Sequence, residues 1–289
     1  MLVALIGACL ALVLAGRFLP GPLAWGFNHL HYLPWWFAVL WVAAAAALLL
    51  PAVRRGLAGF LSTTFPRLLF ESRLAALLFP LSALAFFWLL RERSFFMGDG
   101  YLVGELVDRG MRFRAFDSLD YLLHFQIFQA LRRSGSTLTS FDIYQIGSVL
   151  AGGMAVALLP RLLRRLDWEP WRRSFVFVLF FCSGAGVLFF GYVESYTWLF
   201  VFLCGFLISA VAALQGRAPV WLAGLFWGLA LSFHLTALFS VGALFYLAWT
   251  GPAEGRKRRW VEALLPPLAL FALAVALHIA EGYNMTWFR

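Results

Sequence analysis

The chain alternates between long apolar runs and short polar hinges. A helix needs about 20 apolar residues to cross a bilayer. Nine runs approach that length: Leu2–Phe18, Leu33–Val53, Leu74–Leu90, Ile146–Leu163, Ser174–Tyr192, Tyr196–Leu214, Val220–Phe233, Leu235–Trp249 and Val261–Ala280. The pattern predicts an all-α, polytopic membrane protein of about nine transmembrane helices, with residues 1–289 as a single transmembrane domain. The first run is the weakest, because Arg17 stands at its end. The fourth holds Gly147, Gly152 and Gly153, which suit close helix packing. The ninth carries Pro266-Pro267 and is expected to kink, as neighbouring helices allow.

Val220–Trp249 is one apolar stretch of 30 residues, short of the roughly 40 that two full spans require. Basic residues at both its ends call for two passes or none. Two short helices turning around Ser232-Phe233-His234 satisfy both demands. Such a turn must have its backbone groups buried in protein or facing a wet cavity.

Residues 91–148 form the one sizeable segment outside the spans. Tyr101–Arg109 reads as a short helix with Leu102, Val103, Leu106 and Val107 on one face, stopped by Gly110. Ser118–Arg133 reads as a second, started by Asp117 or Ser118, stopped near Gly135, and apolar around most of its girth. Both are expected to lie in the membrane interface.

Composition agrees with this picture. Apolar residues make up 63% of the chain and charged ones 13%, far from the balance of a soluble domain. The 13 Trp and 31 Phe fit spans with aromatic belts. Charge then sets the topology. With the N-terminus inside, the inner loops hold fourteen basic residues (among them Arg54, Arg161, Arg217 and Arg256–Arg259) against five acidic. The outer loops hold nine of each, so the whole net charge of +9 falls on the inner face. This is the positive-inside pattern, and it places the chain in the plasma (inner) membrane with a cytoplasmic N-terminus. The basic clusters are short hinges, without the stripe and exposed aromatics that a nucleic-acid partner requires. Cys9, Cys182 and Cys204 all lie in apolar runs, with no disulfide or metal spacing.

The chemistry-bearing polar residues gather on the outer side. Asp99 stands between two glycines in FFMGDGYLVGE, nine residues past the third run. It either caps the helix that starts at Gly100 or performs chemistry, and the two roles are compatible. Glu194 stands in the tight turn GYVESY, flanked by Tyr192 and Tyr196. An acid this near hydrocarbon costs a few kcal/mol unless it is paired or wet. His234 marks the shallow turn, either as a functional group or bonded to the turn's own backbone. Arg91 and Arg93 end the third run and either snorkel or hold a phosphate. Glu105 and Asp108 fall on the polar side of their short helix. His29-Leu30-His31 is a weak metal pair, and Asn284-Met285-Thr286 matches a short glycosylation pattern.

An acid just past a span, a large outer loop with interfacial helices, and a second acid in a later outer turn together resemble the GT-C superfamily of membrane glycosyltransferases. The nearest groups are the protein O-mannosyltransferases and the aminoarabinose transferases of lipid A. The resemblance covers roughly Leu74–Trp249. It implies that Asp99 takes the role of the essential Asp, that Glu194 (GYVESY) is the acid of the second turn, and that Phe233-His234-Leu235-Thr236 is the polar break between two later helices. Two features depart from the family. The first two runs are extra, and the later spans or outer domain of many members are missing, so a fragment or a minimal relative is expected.

The function so implied is transfer of a sugar from a polyprenyl-phosphate donor to an acceptor hydroxyl on the outer face. Asp99 would be the base, with Glu194 binding a divalent cation or orienting the acceptor. Arg91, Arg93 or His234 would meet the phosphate, and Tyr192 and Tyr196 would contact substrate. Partners would be the lipid-linked sugar and membrane lipid. A multi-pass transporter or lipid flippase is the alternative, since such sites lie on broken helices near the midplane. An assembly subunit without activity is a third.

Overall fold

The computed structural model describes residues 2–18, 34–93, 99–114, 116–250 and 253–282, and every regular element among them is helical. The chain divides into two compact units, Met1–Phe65 and Pro66–Arg289.

The first unit holds α1 (Leu2–Gly16), α2 (Trp35–Ala47) and α3 (Pro51–Gly59), the last running into a π-helical turn over Phe60–Thr64. The predicted run Leu33–Val53 is therefore not one straight helix. It stops at Ala47, and Pro51 opens a new helix at its first position, where a missing N–H costs nothing. The axis turns by 79° across this break.

The second unit begins with a π-helical turn, Arg67–Glu71, and continues through α4 (Arg73–Leu89), α5 (Gly100–Asp108), α6 (Ser118–Arg133) and α7 (Ser140–Leu163). It goes on with α8 (Pro170–Cys182), α9 (Tyr196–Leu214), α10 (Val220–Phe233), α11 (Val241–Trp249) and α12 (Arg256–Ala280). Ser72 caps α4, its hydroxyl accepting from the Ala75 amide at 3.1 Å. Thr139 and Asp142 cap α7 reciprocally, each side chain accepting the other's amide.

Among the described residues three helices, α7, α9 and α12, are long and apolar enough to cross a membrane, or four if the bent pair Ala38–Ala47 and Pro51–Glu71 is one span. That is fewer than the nine runs read from hydropathy. The difference lies in how apolar runs divide. The run Ser174–Tyr192 leaves the α-helix at Cys182, passes through extended Ser183 and finishes as a 3₁₀ turn over Gly184–Phe189. Val220–Trp249 divides as its length predicts. α10 ends at Phe233, His234 is extended (φ −155°), and a 3₁₀ turn over Leu235–Ser240 leads into α11. The Trp227 indole N–H reaches the Ala237 carbonyl at 3.2 Å and the Ser240 hydroxyl at 3.0 Å, tying the two limbs together. Pro266 and Pro267 lie inside α12, which runs through them.

Glycines set the helix contacts. A Cβ on Gly152 would come 2.7 Å from the Phe87 ring, and one on Gly153 2.5 Å from Leu84, so α7 lies directly on α4. Between α10 and α12 the approach is to backbone. A Cβ on Gly224 would sit 2.5 Å from the Ala263 carbonyl oxygen, and one on Gly228 2.6 Å from the Pro267 Cα. A backbone neighbour cannot rotate away. Gly224→Val is therefore expected to destabilise the chain by about 1–3 kcal/mol, the usual cost of overpacking. Thermal unfolding in detergent checks it, with Gly242→Ala as the neutral control, since no atom lies within 4 Å of that Cβ.

Candidate functional site

The site is built where three connections meet: the exit of α4, the stretch between α5 and α6, and the turn before α9. The exit of α4 is sewn down by its backbone. The Glu92 amide donates to the Phe190 carbonyl at 2.7 Å, and the Gln145 side chain of α7 donates to the Glu92 carbonyl at 2.6 Å. Gly191, on the facing turn, has a φ of +70°, and a Cβ there would come 2.8 Å from the Arg91 Cβ. Only glycine satisfies both the left-handed backbone and the close approach.

Asp99 and Glu194, 95 residues apart, are brought together. The Asp99 backbone N–H donates to the Glu194 carboxylate at 2.8 Å. Asp99 sits at the start of α5, yet its side chain makes no capping bond. Its carboxylate instead points to Arg114, at 3.7 Å, and remains 59% exposed. Glu194 is buried, and burial holds its pKa above the ordinary carboxylate value despite the Asp99 amide. α5 is fixed to α7 by the Ser140 hydroxyl donating to the Gly104 carbonyl at 3.0 Å, with Val103 and Val107 buried beneath. The predicted apolar face is shared, however, because Leu102 is exposed.

Arg114 is the centre of the cluster. Its guanidinium donates to the Tyr121 hydroxyl at 3.1 Å and lies 3.5 Å from the Asp117 carboxylate. Burial alone lowers an arginine's pKa, but Tyr121, Asp117 and Asp99 outweigh it and raise that of Arg114. Burial pushes the Asp117 carboxyl up to about 6, ahead of the pull of Arg114, and the Tyr121 phenol up to about 12. Behind them Asp120 is fully buried, 3.4 Å from the His124 imidazole. His124 Nδ1 also meets the Asp120 carbonyl at 2.8 Å, and its ring stacks on Tyr144 at 3.7 Å. Burial works against a charge on His124, but Asp120 prevails and raises its pKa.

The other expected site residues divide. His234 is buried at the α10 break. Its Nδ1 accepts from the Thr236 amide at 3.2 Å, so the ring serves the turn's own backbone. Tyr196 stacks on it at 4.6 Å, while Tyr192 is buried. The break also touches the cluster's loop, through the Leu235 amide and the Phe116 carbonyl at 2.6 Å. Arg91 folds back onto Trp88, 4.1 Å above the indole, with a bond to the Trp88 carbonyl. Arg93 is exposed on the rim of an open groove with Tyr101, Phe141 and Asp142. Among the described residues the guanidinium within 4 Å of Asp99 and Asp117 is that of Arg114. The cation expected on Glu194 finds no support in the donor set. Among the described residues no three His, Cys, Asp or Glu side chains converge as a metal site, and the Asp99 amide occupies one Glu194 oxygen. His29, His31 and Asn284–Thr286 lie outside the described residues.

Arg114, Asp120, Tyr121, His124 and Tyr144 were given no role from the sequence, and Asp117 was treated only as a helix start. One signal was available. Asp117, Asp120 and His124 are spaced i, i+3, i+7, which places them on a single face of an otherwise apolar helix.

No protein-family model, curated protein or solved structure matches the chain.

Proposed function

We propose that the chain is an inverting glycosyltransferase that works at the outer face of the plasma membrane on a sugar carried by a polyprenyl phosphate. The observation behind this reading is the pairing of Asp99 with Glu194 beside Arg114. It supplies a solvent-facing carboxylate on a fixed backbone, next to a guanidinium. Asp99 takes the proton of the acceptor hydroxyl as that oxygen attacks the anomeric carbon. The bond from the anomeric carbon to the phosphate oxygen breaks, and the polyprenyl phosphate leaves with the electron pair. Arg114 meets the charge that develops on the phosphate. Glu194 is a positioning residue that holds the Asp99 main chain.

The same reading has nine membrane passes, with the Arg-rich hinges inside. α8 and the 3₁₀ turn after it have a contour of about 30 Å, enough for one crossing. α10, at about 21 Å, is not long enough alone. It forms a shallow pair with α11 under the site.

The test is to incubate the purified full chain with a polyprenyl-phosphate-linked sugar and a mixed panel of hydroxyl acceptors, and to measure the polyprenyl phosphate released. Release supports the reading, and its absence across donors removes it. Glu194→Gln, which weakens the hold on the Asp99 amide, is expected to lower turnover by about tenfold, the worth of about 1.4 kcal/mol. The broken helix at His234 favours the alternative of a transporter. In that case a labelled lipid would cross proteoliposomes with no bond to the sugar broken.

A further inference from the structure

Four carboxylates lie in one cluster with a single guanidinium. Asp99 and Asp117 lie within 4 Å of Arg114, Glu194 holds the Asp99 amide, and Asp120 lies behind Asp117, paired with His124. With the acids ionised and His124 neutral, the cluster has three more negative charges than positive. With His124 protonated the surplus is still two. Much of this charge is sealed away, since Asp117 is 1% exposed and Asp120 0%. One oxygen of Asp117 and both of Asp120 are buried without a hydrogen-bond partner. The Tyr144 hydroxyl lies close to Asp120. Buried carboxylates in that state are costly unless positive charge reaches them. The described side chains do not converge as a metal site. A proton on this row would supply counter-charge.

Among the described members of the cluster, Asp99 and Arg114 are the ones exposed to solvent. An anion arriving there draws the guanidinium toward itself, and Asp117, which shares that guanidinium, loses its counter-charge. We infer that binding of a phosphodiester head group at Arg114 draws a proton into the row Asp117, Asp120 and His124, so that anion binding and proton uptake are one event. This rests on the reading that Arg114 faces the donor's phosphate. Burial and the nearby acids favour a proton on Asp117, while the Arg114 guanidinium and a hydrogen bond from Ser195 oppose it. Asp99 at the start of α5, Asp120 of α6 and Glu194 of the turn before α9 all add negative charge. Tyr121, Tyr144 and Ser195 are neutral, and His234 at the α10 break is bonded to Thr236. Only His124 competes for the proton. Burial pushes the Asp117 carboxyl up to about 6, so at neutral pH it is mostly ionised and able to accept a proton. By linkage, what binds more tightly with the proton on must also take the proton up.

The test is calorimetry on the detergent-solubilised full chain with farnesyl methyl phosphate, a diester that does not titrate near neutrality. The titration is run at neutral pH in two buffers of different ionisation enthalpy. The expected result is uptake of close to one proton per diester bound, falling toward zero in Asp117→Asn. Binding with no buffer dependence would overturn the inference and leave the transferase reading standing. Absence of any binding would overturn both. Should Asp117→Asn fail to fold, the wild type decides. Its affinity is expected to be roughly tenfold tighter at about pH 6 than at about pH 8, and a flat profile refutes the coupling.

Discussion

Asp99→Asn is expected to lower glycosyl transfer by about 10²–10⁴-fold, the usual worth of a positioned general base. The amide keeps the size of the side chain and cannot accept the proton. Little else changes. The bond to Glu194 comes from the Asp99 backbone and survives the substitution. No capping bond is lost, because the carboxylate makes none. The ion pair to Arg114 spans 3.7 Å between half-exposed groups, a type that contributes little to stability. Loss of turnover with an unchanged thermal midpoint and unchanged elution on gel filtration therefore identifies Asp99 as the base. A variant that still transfers sugar removes that role. A variant that moves lipid normally and never transferred sugar supports transport.

The second large effect is on stability, with a definite sign. Burial raises the Asp117 carboxyl from 3.8 to about 6 in the folded chain. The folded state therefore holds this proton more tightly than the unfolded one. Its stabilising contribution is complete below pH 3.8 and is lost as pH rises through about 6. A shift of this size corresponds to about 3 kcal/mol. His124 acts in the same direction at higher pH. Its raised value makes a contribution that is present below 6.5 and lost as pH climbs past the folded value. The solubilised chain is thus expected to unfold at a lower temperature at pH 8 than at pH 5. Asp117→Asn is expected to raise the midpoint at pH 8 by removing a buried charge, and to lose that advantage near pH 4 (where the wild-type carboxyl is itself neutral). A variant less stable than wild type at pH 8 would mean that the Arg114 contact outweighs burial.

Several helix ends were legible from a capping or breaking residue, though the break at Pro51 was not. Asp117 or Ser118 and Gly135 bracket α6, Gly110 follows α5, and the shortage of apolar length in Val220–Trp249 marked the break at His234. The meeting of Asp99 with Glu194 was legible from their places in two loops on one side of the spans. Less legible was how an apolar run divides between α, π and 3₁₀ geometry. Hydropathy measures transfer from water and is blind to the hydrogen-bond register that ends α8 at Cys182. The buried row was masked for a related reason. Asp120 and His124 are polar positions on a helix of sixteen residues that is otherwise mostly apolar, with Asp117 at its N-cap, a pattern that an interfacial helix with a wet side would also give. Their burial depends on Tyr144 and Arg114, whose approach is tertiary and leaves no local trace.

The short bond between the Leu235 amide and the Phe116 carbonyl has a consequence for motion. The amide belongs to the interrupted helix pair, and the carbonyl belongs to the residue just before Asp117. Opening of the pair must therefore either break this tether or drag the loop that carries Asp117 with it. Under the proposed function, entry of a lipid carrier along the helices and rearrangement of the charged groups would in that sense be a single mechanical step.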